Sequence, residues 1–72
     1  KGEFARAIAD YSKVIEVNPK FAHAYAVRAL AHEKSGSIDR AVADYRKALE
    51  LDPLYQSAAE ALKRLAALPR PC

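Results

Sequence analysis

The chain has 72 residues, of which 51% are hydrophobic, and a formal net charge of +3. A domain of this size buries only about 60% of the surface of its unfolded chain, so a single small core is expected. The 12 basic residues are interleaved with 9 acidic ones and form no continuous basic face, which argues against nucleic acid as a partner. No apolar run approaches the roughly 20 residues that span a bilayer, so no membrane partner is expected.

The first half of the chain predicts two helices, over residues 3–17 and 21–34. In the first, apolar residues at helical spacing form one stripe, made of Phe4, Ala7, Ile8, Tyr11, Val14 and Ile15. The second has two faces, one of Tyr25, Arg28, Ala29 and His32 and the other of His23, Ala26, Leu30 and Glu33. Lys34 in its last turn and Gly36 beyond it, free to adopt a left-handed backbone, predict its end.

The second half predicts two more helices, over residues 38–51 and 55–68. The third helix carries a stripe of Ile38, Ala41, Val42, Tyr45, Ala48 and Leu49, and the fourth a stripe of Ala58, Ala61, Leu62, Leu65 and Ala66. Two prolines follow, so residues 69–72 are expected to form a frayed tail. Cys72, the only cysteine, is expected to be an exposed thiol of this tail.

The chain nearly repeats itself at an offset of 34 residues. Residues 2–19 align with residues 36–53 and are identical at nine of the eighteen positions. The identities include two pairs in which a tyrosine follows an alanine by one turn, Ala7 with Tyr11 and Ala41 with Tyr45. A small residue one turn from an aromatic lets two helices approach closely while the ring fills the gap. A fixed period of this kind is typical of a solenoid, in which each unit covers the apolar face of its neighbour.

This pattern resembles the tetratricopeptide repeat family, whose consensus is W-x2-L-G-x2-Y, then A-x3-F, then P. The matching residues are Tyr25 at the first aromatic position, Ala41, Tyr45 and Pro53 in the second half, and Ala7, Tyr11 and Pro19 one repeat earlier. The Leu-Gly positions hold Arg28 and Ala29, and the next aromatic position holds His32, so this helix is more polar than the consensus. The resemblance implies an all-α fold of antiparallel helix-turn-helix repeats, stacked as a short right-handed α-solenoid of four helices.

We expect one domain over residues 1–72. Its predicted parts are the second helix of a partial repeat (1–19), a complete repeat (20–53), a closing helix (54–68) and the tail (69–72). Arrays of this kind usually need about three repeats, and the sequence contains no methionine, so we expect a fragment of a longer repeat protein. The first helix would then lack a partner, and its uncovered stripe would favour self-association.

No catalytic or metal-binding constellation is present in the sequence. His23 and His32 are nine residues apart, whereas two imidazoles that share a metal on one helix are three or four apart. The serines lack a neighbouring base, and two glycines cannot make a phosphate-binding loop. We therefore expect no enzyme activity, no metal and no cofactor, with His23 as a polar surface residue and His32 as a packed substitute for an aromatic. The compartment stays open, with the cytoplasm as the default.

Arg28 stands out because it replaces an apolar residue on the packing side of its helix. A buried guanidinium needs a carboxylate, and Asp10 and Asp44 occupy equivalent positions in the two flanking helices. We expect Arg28 to pair with one or both of them as a clasp between repeats. The alternative is that Arg28 binds a carboxylate of a ligand.

The resemblance also implies a function in protein binding. In tetratricopeptide repeat proteins, the first helix of each pair lines a concave groove that accepts an extended or helical peptide. Carried onto this chain, the groove residues are His23, Ala26, Leu30 and Glu33, with Ser57, Glu60 and Arg64 as weaker candidates. Where one subclass uses Lys and Asn to grip the acidic carboxyl terminus of chaperones, this chain has Ala26 and Leu30, which favours a shallow, partly apolar contact anchored by Leu30.

The sequence therefore predicts a non-catalytic scaffold or adaptor module that binds a protein or peptide partner whose identity it does not specify. The alternative is a structural repeat element that caps an array or mediates homo-oligomerisation through the first helix.

Overall fold

The computed structural model describes residues 2–67, which form four helices and contain no strand. The helices are α1 (Gly2–Val17), α2 (Ala22–Lys34), α3 (Ile38–Leu51) and α4 (Gln56–Ala66). All four predicted helices are confirmed, each beginning within one residue of its predicted start, and α4 ends at Ala66 rather than at residue 68. The predicted tail, with Cys72, lies outside the described residues. None of the described helices is both long and apolar enough to cross a membrane.

The turn between α2 and α3 is set by Gly36. Its φ of 92° lies in the left-handed region, which only glycine adopts without a steric penalty. The backbone N–H of Gly36 donates to the carbonyl of Glu33 (3.1 Å), and that of Ser37 donates to the carbonyl of His32 (2.8 Å). These two bonds form the Schellman motif that satisfies the last carbonyls of a helix. The predicted helix end at this glycine is therefore confirmed.

The four helices stack in sequence order as a short solenoid. The α2 helix packs against both α1 and α3, and α4 packs against α3. The connections between consecutive helices are only three or four residues long, which makes neighbouring helices antiparallel. Four alanines of this core, Ala29, Ala41, Ala48 and Ala58, are 0% exposed. Because their side chains end at Cβ, the helix backbones approach closely, and Tyr25, Tyr45 and Leu65 fill the space around them.

The 34-residue period of the sequence is also present in the packing. A surface cavity of about 320 Å³ is lined by residues that include Ile8, Ser12, Arg28 and His32. A second cavity, of about 190 Å³, is lined by Val42, Arg46, Leu62 and Ala66, each of which follows one of those four residues by 34 positions. The α1–α2 pair and the α3–α4 pair therefore pack in the same way, as expected of a repeat array.

The two equivalent helices α1 and α3 differ in how far they are covered. Ala41 and Tyr45 of α3 are 0% and 4% exposed, because α2 and α4 both pack on this helix. Ala7 and Tyr11, the identical residues of α1, are partly exposed, and none of the residues 3–17 is buried. The apolar stripe of α1 is thus only partly covered, by α2.

Arg28 links three helices. Its Nε donates to Oδ2 of Asp44 (2.7 Å), its Nη2 to Oδ1 of Asp44 (2.8 Å) and its Nη1 to Oγ of Ser12 (3.0 Å). The bidentate ion pair joins α2 to α3, and the bond to Ser12 joins α2 to α1. The guanidinium also lies 5.6 Å from the centre of the Tyr25 ring, within reach of a cation–π attraction.

Of the two carboxylates that the sequence offered to Arg28, the structure brings only Asp44 to it. Asp10 is exposed and makes no bond to Arg28, whose third contact is Ser12. Residues two positions apart on an α-helix lie about 200° apart around its axis. Since Ser12 faces α2, Asp10 lies on the other side of α1.

Replacing Arg28 with alanine should destabilise the fold by about 2–4 kcal/mol, because Asp44, only 7% exposed, would lose its ion-pair partner. The double variant Arg28→Leu/Asp44→Ala should be destabilised less than the single variant, because it contains no buried carboxylate without a partner. Urea denaturation followed by circular dichroism measures both, with Arg6→Ala as the control for removal of an exposed arginine. A single variant as stable as the parent would contradict the role of the clasp.

The stability of the fold should also fall between pH 7 and pH 5 because of His32. Burial lowers the pKa of His32, and Arg28 and Arg40 act in the same direction, while the carboxylate of Asp44, 3.7 Å from Nε2, opposes them. Below its ordinary pKa of about 6.5, the unfolded chain takes up the proton more readily than the folded one, so acid favours unfolding. His32→Phe should remove this decrease in the free energy of unfolding, and an equal decrease in the variant would show that His32 is not its source.

Candidate functional site

An open groove lies between α2 and α4. Its volume is about 530 Å³, and residues of three helices line it. The lining residues are Ala26, Val27 and Leu30 of α2, Tyr45 of α3, and Tyr55, Ser57, Glu60, Ala61 and Arg64 in or directly before α4. The groove exists because α2 and α4 both pack on α3, which leaves the two helices side by side with a gap between their outer faces.

Side-chain bridges join the two helices at both ends of the groove. At one end a hydrogen bond of 2.8 Å connects Nδ1 of His23 with the hydroxyl of Tyr55, and the two rings are nearly parallel. At the other end the guanidinium of Arg64 donates to both carboxylate oxygens of Glu33. The first residues of α2 therefore meet the start of α4, and the last turn of α2 meets the last turn of α4, so the two helices are parallel.

The Glu33 end of the groove is a fixed network of three side chains. The hydroxyl of Tyr45 donates to Oε1 of Glu33 at 3.2 Å, beside the ion pair with Arg64. The hydrogen bond from Arg64 is the main cause of the lowered pKa of Glu33. Burial, with the negative charge of Glu33, raises the pKa of Tyr45 to about 12. At neutral pH Glu33 is therefore ionised and Tyr45 keeps its proton, which is the state that this network requires.

Between the two bridges the groove is mostly apolar. Ala26 and Ala61 are buried in its floor, whereas the side chain of Leu30 is 43% exposed. Ser57 and Glu60 are exposed along α4, and neither has a hydrogen-bond or ion-pair partner among the described residues. Because Arg64 and Glu33 balance each other, the charge that is left in the groove is that of Glu60.

All seven residues predicted to belong to a groove lie on this shared face of α2 and α4. Five of them line the cavity, namely Ala26, Leu30, Ser57, Glu60 and Arg64. The other two, His23 and Glu33, form the bridges at its ends. The α4 residues could be placed from the sequence because Ser57, Glu60 and Arg64 follow His23, Ala26 and Leu30 by 34 positions.

Four further residues line the groove and were not predicted from the sequence, namely Val27, Tyr45, Tyr55 and Ala61. A signal for Tyr55 does exist in the sequence, because it follows Phe21 by 34 positions and each of these aromatics directly precedes a helix. Phe21 also lies beside His23, with 5.9 Å between the ring centres. An aromatic at both equivalent positions thus marks the end of the groove where α2 and α4 begin.

The two histidines do not share a site. His23 is exposed beside Tyr55, and His32 is buried beside Asp44, so the two histidines lie in different surroundings. Within residues 2–67, no cluster of three or more potential metal-ligating residues is present. Four polar side chains at the ends of the groove, those of His23, Tyr55, Glu33 and Arg64, are bonded in pairs across it.

Removal of the Tyr45 hydroxyl should weaken the network at the Glu33 end. Tyr45→Phe should cost about 1 kcal/mol at pH 7, the usual value for one hydrogen bond. The free energy of unfolding of the parent should also fall from pH 10 to pH 12, because the unfolded chain gives up the Tyr45 proton before the folded chain does. Tyr45→Phe should show a smaller decrease over this pH range. Urea denaturation at both pH values measures the two effects, and a variant with the same alkaline loss as the parent would contradict this account.

Comparison with protein families agrees with the architecture. Residues 1–55 match the sequence model of the tetratricopeptide repeat family. This stretch includes α1, α2, α3 and the turn that leads into α4. No curated protein matches the chain at a significant level. Since the family match covers well over half of the sequence and the packing repeats with the same 34-residue period, the chain belongs to the tetratricopeptide repeat family.

Proposed function

We propose that this chain is a protein-interaction module that binds a short segment of a partner protein in the groove between α2 and α4. Tetratricopeptide repeats generally mediate protein–protein interaction. The observation that supports a site in this chain is the open, mostly apolar groove with an exposed leucine between two polar bridges.

The size of the groove suits a short peptide segment. A volume of about 530 Å³ is within the range of known ligand clefts, roughly 300–1,000 Å³. The bridges start at His23 and Glu33, ten residues apart on α2, which corresponds to about 15 Å along the helix axis. An extended peptide covers that distance with about four or five residues.

The chemistry of the groove favours a partner segment that combines an apolar side chain with a lysine or arginine. The apolar side chain would contact Leu30 above the floor made by Ala26 and Ala61, and the cation would lie near Glu60. An acidic peptide terminus fits less well, because Arg64, the one cation among the lining residues, is already paired with Glu33. The groove thus differs from a site built to grip a carboxylate.

Catalysis is not part of the proposed function. Members of this family are typically non-catalytic interaction modules. The groove supports the same proposal for this chain, since its one ion pair and its histidine are bonded to neighbouring side chains rather than directed at the cavity.

The substitution Leu30→Glu should strongly weaken peptide binding. It should leave the fold intact, because Leu30 is 43% exposed. Peptides selected from a random seven-residue library against the parent chain should be enriched in apolar residues next to lysine or arginine. Fluorescence polarisation should then show at least a tenfold loss of affinity for Leu30→Glu, about the effect of one lost anchor residue. Glu60→Gln should weaken the selected basic peptides severalfold and reduce the salt dependence of their binding.

Leu54→Glu is the matched control, since Leu54 is 90% exposed and does not line the groove. It should bind the selected peptides as tightly as the parent does. Selected peptides that bind Leu30→Glu and the parent equally well would contradict the proposed site.

The second candidate function is a structural element that extends or caps an array or associates with itself. The observation that favours it is the partly exposed stripe of α1. The Leu30→Glu variant separates the two functions, because it removes the anchor of the groove and does not alter α1. Under the second function, sedimentation velocity would show the same association for this variant as for the parent.

A further inference from the structure

The cavity that is lined by α1, α2 and α3 lies on the side of α2 that faces away from the groove. Arg28 lines this cavity, whereas Leu30 lines the groove. Because these residues are two positions apart on α2, they lie about 200° apart around its axis. The cavity has a volume of about 320 Å³. Its polar lining residues are Ser12, Arg28, His32, Arg40 and Asp44, and we call it the Arg40 cavity.

The polar character of the Arg40 cavity is not shared by the other repeat. The equivalent cavity, of about 190 Å³, has Leu62 and Ala66 at the positions of Arg28 and His32. The consensus of the family has a leucine and an aromatic residue at the same two positions. Two departures from the family pattern therefore give this one cavity polar groups that the repeat architecture does not require.

His32 has ring nitrogens that the fold leaves without a partner. Its side chain is only 9% exposed, and neither nitrogen makes a hydrogen bond to another described residue. The distance of 3.7 Å from Nε2 to Oδ2 of Asp44 is too long for one. Because burial lowers the pKa of His32, the ring is neutral at pH 7 and carries one N–H. Buried polar groups are nearly always hydrogen-bonded, so this N–H points to a group that enters the cavity.

Two arginines give the Arg40 cavity a positive charge. The guanidinium of Arg28 uses three of its five N–H donors on Asp44 and Ser12. Arg40 is exposed and has no ion-pair or hydrogen-bond partner within residues 2–67. Its charge lies close enough to His32 to lower the pKa of that ring. Two positive arginines and the negative Asp44 leave one positive charge in the cavity at neutral pH.

We propose that the Arg40 cavity binds one carboxylate group, that of an aspartate or glutamate side chain of a partner protein. Arg40 supplies the main charged contact, and the N–H of His32 and the hydroxyl of Ser12 donate to the carboxylate oxygens. The Ser12 hydroxyl is free to donate, since its oxygen accepts from Arg28 and its hydrogen has no acceptor among the described residues.

Charge and size both favour a carboxylate over a phosphate. A carboxylate carries one negative charge, which balances the one positive charge of the cavity. A phosphate group carries about −1.5 to −2 charges at pH 7, and the excess would lie beside the carboxylate of Asp44. The volume of about 320 Å³ is at the lower end of the range of ligand clefts, roughly 300–1,000 Å³, and suits a single side chain.

A titration followed by NMR tests this site independently of the groove. The probe is N-acetylglutamic acid α-amide, whose charged group is the side-chain carboxylate, and N-acetylglutamine amide is the neutral control of the same size. The acidic probe should shift the Nε–H signals of Arg28 and Arg40 and the ring signals of His32, with a dissociation constant on the order of 10 mM. The neutral control should leave these signals nearly unchanged, and neither compound should shift Leu30 in the groove.

Three variants locate the contacts. Arg40→Gln should weaken binding of the acidic probe about tenfold, the effect of losing one charged hydrogen-bond partner. His32→Phe should weaken it severalfold, because it keeps an aromatic ring but removes the N–H. Arg6→Gln is the matched control, since Arg6 precedes Arg40 by 34 positions, is also exposed and does not line the cavity. It should bind the acidic probe as tightly as the parent does.

Three results would overturn the proposal. The first is a neutral control that shifts the same signals as the acidic probe. The second is an equal loss of affinity in Arg6→Gln and Arg40→Gln, which would show a general attraction of anions to a basic protein. The third is tighter binding of inorganic phosphate than of the acidic probe at the same signals, which would assign the cavity to phosphate.

Discussion

The structure depends on the close approach of helices at alanine. Ala29, Ala41, Ala48 and Ala58 are completely buried, so α2, α3 and α4 meet almost backbone to backbone. A larger side chain at any of these positions would separate the helices and would lose the contacts of the tyrosines that fill the space around them. Because α2 and α4 share α3 in this way, they lie parallel with a groove between them. The proposed binding surface is thus a direct consequence of how small these core residues are.

Polar pairs make this packing specific for particular neighbouring helices. An ion pair that is largely withdrawn from water contributes little net stability, but an unmatched partner in its place is costly. Arg28 with Asp44 therefore favours one neighbour for α2 over others, whereas apolar contacts alone would accept many. Ser12 extends the same arginine contact to α1. A single side chain in a position that is usually apolar in this family thus contacts both helices that flank α2.

Periodicity explains what the sequence could predict and what it could not. The helices, their faces and the pairing of Arg28 with Asp44 follow from spacing along the chain and from the 34-residue offset. The bond between Arg28 and Ser12 and the contact of His23 with Tyr55 were not predicted, because they depend on how two helices are rotated against each other. Glu33 and Arg64 were both placed in the groove, but their pairing with each other requires the distance across it. The 34-residue offset did not predict the surroundings of Asp10. Asp10 and Asp44 are equivalent in sequence, but Asp10 lies at the edge of the array and has different neighbours.

The two bridges across the groove also have a consequence for recognition. They hold α2 and α4 at a set separation before any ligand arrives, so the protein has little conformational freedom to lose when it binds. Selection among ligands then depends on side-chain size as much as on charge. A side chain wider than the gap between α2 and α4 could enter only if one of the two bridges broke. The groove therefore selects ligands by the size of their side chains rather than by closing around them.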